Sequence, residues 1–353
     1  MKLCAASVLG GALVAALIMM GAEAAHAEPA AGVRQIEVTS DQRAESLAVT
    51  VWYPAAPGGE AIVWGESVFF EGTAAMMDAP IQEGTFPLIM LSHGAGLAGR
   101  AEAMSWIAAP LAQNGFIVAA PTHPGNTGPH RSAEETMRLW LRPSDVSAAL
   151  DAVSGATEFA PHIAPGAVGV LGLSMGGGTA LSLAGARLDP ERYASYCDTH
   201  DRNPSLCEWV RMSGVDLHDM DKTAVGRDNA DPRFRFVMAI DPAPADIFAD
   251  ATLPTIAVPV VLVNLGKPGE IPATVRASGI AARIPGASHH VIEDAGHASL
   301  FALCRPGAAQ IALDEGIEDP ICTDGGGRDR SRIHAQLIDL VTAAFHQAID
   351  PER

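Results

Sequence analysis

Basic residues are scarce. Across 353 residues, 23 Lys and Arg stand against 41 Asp and Glu, a formal net charge of −18 at pH 7, which excludes recognition of nucleic acid through a basic surface. Metal-ligand spacings are missing too. No C-x-x-C and no H-E-x-x-H run occurs, so no metal site is expected. There is no internal repeat, and after residue 27 no window approaches the 18 uncharged apolar residues that crossing a bilayer requires. What is present is a globular composition, 48% hydrophobic and 18% charged, in a chain long enough for one large domain or two ordinary ones. The acidic balance repels anionic substrates and anionic lipid headgroups, leaving neutral small molecules as the easier partners. Nothing in the sequence speaks to oligomeric state.

The one long apolar run stands at the start. Lys2 precedes an Ala/Leu/Val/Met-rich segment over residues 3–22, followed by Ala25-His26-Ala27, the small-residue pattern that a signal peptidase reads. Cleavage after Ala27 is expected, with a retained N-terminal anchor as the alternative. Residues 28–353 then form one exported domain, secreted or periplasmic, with no stable membrane insertion. Losing Cys4 with the leader leaves Cys197, Cys207, Cys304 and Cys322, an even set suited to an oxidising compartment. Pairing Cys197 with Cys207 and Cys304 with Cys322 would staple two local polar loops, each worth about 3 kcal/mol.

Hydrophobic periodicity alternates between 2 and 3.6. Residues 34–40 and 46–53 read as an antiparallel pair, ended by turn residues at 54–59. Short apolar runs at 86–92, 116–120, 167–171, 234–240, 258–264 and 288–292 read as strands buried on both faces. Helical patterns separate or follow them at 101–114, 144–153, 175–186, 273–282 and 330–348. This rhythm predicts an α/β fold, a mostly parallel central sheet with helices on both faces. Residues 188–232 interrupt it with Asp, Arg, Asn and His, and with the first cysteine pair. They are expected to be a disulfide-tethered lid inserted at the sheet rim, disorder being the alternative.

Gly172-Leu173-Ser174-Met175-Gly176 is a G-x-S-x-G pattern with an apolar strand running into it and a helix running out. That context forces Ser174 onto a tight turn at the C-terminal edge of the sheet, above a helix N-terminus that favours developing negative charge. A serine nucleophile needs a base. His297, in Asp294-Ala295-Gly296-His297, lies just past the last core strand and is the best placed of the histidines. An acid to orient it should lie between the two in the chain. Asp241 ends the 234–240 strand, and Glu270 follows the next one. Because Asn-Leu-Gly-Lys after that next strand offers no aspartate, Asp241 is favoured over Glu270, with Asp246 and Asp294 more remote. Oxyanion donors are expected from the main-chain amides of Met175 and of Ala95, the latter in the small-residue loop Ser92-His93-Gly94-Ala95-Gly96. His93 is read as bracing that loop, and His123 as lining the cleft or shaping a turn.

Taken together, these residues resemble the α/β-hydrolase superfamily, within it serine esterases similar to plasma-type platelet-activating-factor acetylhydrolase and bacterial predicted dienelactone hydrolases. The likeness spans about residues 34–345 without the insertion. It rests on Leu91-Ser92-His93-Gly94, the 114–120 run Asn-Gly-Phe-Ile-Val-Ala-Ala, the G-x-S-x-G turn and the 234–241 segment. The resemblance implies an α/β-hydrolase fold with the triad acid at the end of the strand after the nucleophile's helix, which is Asp241. The Ser-Met-Gly-Gly-Gly turn also looks like that of bacterial cutinases and polyester hydrolases. True dienelactone hydrolases use cysteine where this chain has Ser174. The expected activity is therefore cofactor-free hydrolysis of small neutral carboxylic esters, short acyl chains favoured, through a Ser-His-Asp triad and an acyl-enzyme. A polyester or lipid esterase is the alternative, and a non-catalytic binding protein on the same fold is a third reading.

Overall fold

The computed structural model describes residues 30–349 save 44, 129, 130, 200 and 318; the leader and its cleavage site lie outside the described residues. Ten strands form one sheet. In chain order they are β1 Ala30–Val38, β2 Leu47–Ala55, β3 Glu60–Trp64, β4 Thr73–Met77, β5 Phe86–Ser92, β6 Ile117–Pro121, β7 Ile163–Leu173, β8 Phe236–Ile240, β9 Val260–Leu265 and β10 Ser288–Ile292. Their spatial order is β10-β9-β8-β7-β5-β6-β2-β1-β4-β3. The six strands from β10 to β6 run parallel, while β2 is antiparallel to both β6 and β1. Helices α1 Ser105–Gln113, α2 Ala133–Met137, α3 Arg142–Gly155 and α4 Met175–Leu183 fall between these strands or beside them. Then come α5 Pro190–Ala194, α6 Pro204–Met212, α7 Lys222–Val225, α8 Ser278–Ala281, α9 Ala308–Asp314 and α10 Arg330–Ile349.

Strand alternation divides the core in two. Leu88 and Met90 of β5 face one apolar cluster, shared with Val146 and Leu150 of α3 and Leu181 of α4. Ile89 and Leu91 face the other, shared with Ile107 of α1 and Leu337 and Phe345 of α10. A strand covered on both faces must be apolar throughout, which is why β5, β6 and β8 have continuous hydrophobic sequence. The edge strand β3 is instead half exposed.

Two expectations change. The hairpin of β3 and β4 has no strong sequence signal, because its short strands bury little. The helix expected over 273–282 is only a 3₁₀ turn at Ala273–Val275 and the single turn α8. The insertion over 188–232 is folded, with Tyr193, Tyr196, Val210, Leu217 and Val225 buried in the α3/α4 core. Polar sequence and packed structure coexist there because its three short helices each bury one side. Disulfides join Cys197 to Cys207 and Cys304 to Cys322. Among the described residues no helix is long and apolar enough to cross a membrane.

The chain reverses its winding about β5, placing β6 on one side of it and β7 on the other. A crevice opens where a parallel sheet switches direction in this way. Ser92↔Gly172 and Leu173↔Ile240 are paired across the strands, so the residues that follow β5, β7 and β8 emerge side by side.

Candidate active site

Ser174 occupies the turn between β7 and α4 with φ 54° and ψ −122°, a backbone region that costs a non-glycine residue about 1–3 kcal/mol. Neighbouring strands hold it there. Its amide donates to the Ile240 carbonyl at 2.9 Å, and its own carbonyl accepts from Gly177 at 2.8 Å and Ala243 at 2.9 Å. The glycines of the turn are steric necessities. A Cβ on Gly176 would stand 1.8 Å from the Ser92 carbonyl oxygen, and one on Gly172 2.0 Å from the Gly176 oxygen.

The Ser174 Oγ lies 3.0 Å from Nε2 of His297, although 123 positions separate the two residues. His297 opens the 3₁₀ turn His297–Leu300 beyond β10. Its Nδ1 lies 3.0 Å from Oδ2 of Asp241. A carboxylate only accepts, so Nδ1 carries the ring proton and Nε2 is left to accept from the serine hydroxyl. The Asp241 side chain is fully buried whereas that of His297 is 43% exposed, which leaves the imidazole open to an incoming molecule.

Burying a carboxylate is costly unless donors replace its water. Asp241 has three: His297 Nδ1 on Oδ2, and on Oδ1 the Asn264 amide at 2.9 Å and the Leu265 main-chain amide at 2.8 Å. Asp241 is itself at positive φ, 44°, so both ends of the array are held in strained turns at the sheet edge. Asn264 is oriented in turn. Its Nδ2 also donates to the Val275 carbonyl at 2.7 Å, while its Oδ1 accepts from the Ala277 amide at 2.9 Å and from His289 Nε2 at 3.0 Å.

Glu270 is not brought to the array; it is exposed in a turn closed by its amide on the Lys267 carbonyl. Asp294 is engaged by Arg328 through two bonds of 2.6 and 2.7 Å, and Asp246 lies 3.6 Å from Arg202. Asn264 is the residue that sequence reasoning passed over. Its signal was its position: in a strand beside β8, a short amide side chain on a fully buried position needs polar partners.

Gly94 brings the loop after β5 against the serine, its Cα so placed that a Cβ would be 3.2 Å from Ser174 Cβ. Ala95 follows it, part-buried, and Met175 begins α4. Met175 is thus joined to Ser174 directly, and Ala95 follows the glycine that abuts it. Beneath them lies a buried polar cluster. His93 Nδ1 is 2.7 Å from the Gly94 carbonyl, and the His123 amide donates to His93 Nε2 at 2.9 Å. Burial is the main cause holding both rings well below the usual histidine range, reinforced at His93 by His123 and Arg142 and at His123 by Arg142 and Arg43. Burial also lowers Arg142 to about 9. Among the described residues no group of three or more His, Cys, Asp or Glu could hold a metal ion.

No protein-family model and none of the curated protein sequences matches the chain. Solved structures do. A ferulic acid esterase from Streptomyces cinnamoneus superposes over 92% of this chain and 91% of its own, with a TM-score of 0.60 at 17% identity. The fold is that of the α/β hydrolases. A dienelactone hydrolase from Anabaena variabilis matches over 92% of this chain and 100% of its own, at 15% identity and a TM-score of 0.48. A puromycin-hydrolyzing peptidase from Mycobacterium tuberculosis matches over 90% of this chain and 39% of its own, at 12% identity and a TM-score of 0.49. Ser174, Asp241 and His297 follow β7, β8 and β10 in the chain, and residues 188–232 lie between α4 and β8.

Proposed function

We infer that the protein is a serine hydrolase that cleaves carboxylic esters. The unbroken hydrogen-bonded line from Ser174 Oγ through the His297 ring to the buried Asp241 carboxylate carries this reading. His297 Nε2 takes the hydroxyl proton as Ser174 Oγ attacks the ester carbonyl; the C–O bond to the alcohol breaks, and the same proton passes to the departing alkoxide. Water then attacks the acyl-enzyme, giving its proton to His297, which returns it to Ser174 as the acid leaves. Asp241 holds the imidazole tautomer and stabilises the imidazolium formed midway. Ala95 and Met175 amides receive the oxyanion, each worth about 3 kcal/mol of transition-state stabilisation. No cofactor enters this sequence.

Small neutral esters with short acyl chains are the proposed substrates, since a net charge of −18 works against anionic ones. Two disulfides support an exported destination, periplasmic or extracellular. Ser174→Ala is expected to abolish turnover of p-nitrophenyl acetate and covalent labelling by a fluorophosphonate. Turnover surviving in that variant would overturn the reading.

A further inference from the structure

Ser92, His123 and Asp145 form a second Ser–His–Asp array that acyl transfer does not use. Ser92 Oγ lies 2.9 Å from His123 Nε2, and His123 Nδ1 2.8 Å from Asp145 Oδ2. All three residues are buried, the serine completely, so no substrate reaches this hydroxyl and the array has no chemistry of its own. Its protons are nonetheless fixed. Asp145 accepts from His123 Nδ1 and from Arg43 Nε and Nη2 at 2.8 and 2.7 Å. His123 Nε2 therefore accepts from Ser92.

From this anchored ring the order passes to the main chain. The His123 amide donates to His93 Nε2 at 2.9 Å. An amide can only donate, so that nitrogen is bare and the single proton of His93 lies on Nδ1, 2.7 Å from the Gly94 carbonyl. Arg142 Nη2 donates to the His93 carbonyl and pins the preceding peptide plane. In a trans peptide the C=O and the following N–H point in opposite directions. Tying down the Gly94 oxygen therefore aims the Ala95 N–H away from His93, and Gly94 is the residue that abuts Ser174. Arg43, Arg142, Arg227 and the two rings are the charged or titratable groups facing Asp145 from the packed elements around it.

We propose that Ser92, His123 and Asp145 are positioning residues: by fixing the His123 main chain against His93 they lock the His93 tautomer and so aim the Ala95 amide at the oxyanion. The proposal rests on the serine-hydrolase reading and adds to it a buried relay that acts only through the oxyanion loop. It differs from general core packing because its effect falls on one transition-state donor.

The test uses the full chain with Ser92→Ala, His123→Asn and His123→Ala, each checked for a cooperative melt, with p-nitrophenyl acetate as substrate. Removing an oxyanion donor outright costs about 10²–10³ in kcat. Misaiming it is expected to cost about 10-fold in Ser92→Ala and about 100-fold in His123→Ala, with KM within about 3-fold. His123→Asn, which keeps a donor toward Asp145, should fall between them. A trifluoromethyl ketone, whose serine adduct carries the oxyanion, should lose affinity by the factor lost in kcat/KM. The acid limb of the pH profile should keep its midpoint.

Wild-type kcat in the folded variants, or lost kcat with undiminished ketone affinity, would overturn the proposal. Should His123→Ala fail to melt cooperatively, Ser92→Ala decides by the same two measurements, since it deletes only a hydroxyl. Ser174→Ala run alongside separates the two claims. An inactive Ser174→Ala with fully active His123 variants defeats the relay alone, whereas an active Ser174→Ala defeats the hydrolase reading and the relay with it.

Discussion

Asp241 does two jobs with one carboxylate. Oδ2 fixes which nitrogen of His297 is bare, and Oδ1 is held by Asn264 and Leu265 so that the carboxylate cannot rotate away. An amide in its place keeps the shape but offers an N–H toward His297 Nδ1, which forces the other tautomer and leaves Nε2 unable to take the serine proton. Asp241→Asn is therefore expected to lower kcat by up to about 10⁴ with little change in KM. Glu270→Gln, in an exposed turn, should leave both constants near wild type. A large loss in the second variant and none in the first would reverse the assignment. Asn264→Ala acts more gently. It removes one donor from a buried carboxylate and leaves the Ala277 amide and His289 without an acceptor, a cost of about 1–3 kcal/mol readable in a urea midpoint.

The turn that carries His297 is held by a segment far along the chain. Ser299 Oγ donates to Asp324 at 2.9 Å, and Asp324 accepts from Arg330 at 2.7 Å. Arg328 grips Asp294 at the other end of the turn, and the main chain is so close that a Cβ on Gly325 would stand 2.6 Å from the Ala295 oxygen. The Cys304–Cys322 disulfide closes the loop that leads into this segment. Replacing both cysteines by serine is expected to cost about 3 kcal/mol of stability. It should also lower kcat measured well below the melt, because the His297 turn loses its tether; replacing Cys197 and Cys207 should reduce stability without that loss of kcat. Equal kcat in both double variants would refute the distinction. Of this tether only the cysteine pairing was legible in the sequence, from loop spacing; what the stapled loop touches depends on the meeting of residues 294 and 328. The strands were legible where burial on both faces demands unbroken apolar runs, as in β5 and β8, and not in β3 and β4, whose five residues apiece stay half exposed.

Across the molecule, the sheet order explains why so much of the site could be anticipated. Chain order and the parallel rhythm place the residues after β7, β8 and β10 on one edge, so Ser174 and His297 were legible as candidates from periodicity and residue type, while Asp241 stood beside Glu270 and was favoured further only by the family resemblance. The buried cluster beneath them does not, because His93 and His123 have no periodic signature and acquire their roles only when β5 and β6 pair. That cluster, with His334, has a consequence for acid stability. His334 is held at about 4, chiefly by burial, and His93 and His123 lie well below 6.5 for the same reason. In the unfolded chain all three titrate near the ordinary value of about 6.5. Above that pH neither state is protonated and the rings add no slope. Below it the unfolded chain takes up protons that the folded protein refuses, so stability falls by up to about 1.4 kcal/mol per pH unit for each ring. For His334 the loss ends as pH passes its folded value of about 4. Asp145, raised by burial, and His218, raised by its bond to Asp198, oppose this, because the folded protein protonates them first, whereas His289, lowered by burial, adds to the three buried rings. Asp228, held low by the Ala230 amide and Arg187, and Asp250, held low by Arg192, withdraw their support only when the pH falls into the carboxylate range. Melting temperature measured between pH 8 and pH 4.5 is accordingly expected to decline from about pH 6.5 downward, and His334→Gln, which cannot titrate, should shallow that decline. A melting temperature that holds level down to pH 4.5 would show that these rings titrate alike in the folded and unfolded chain.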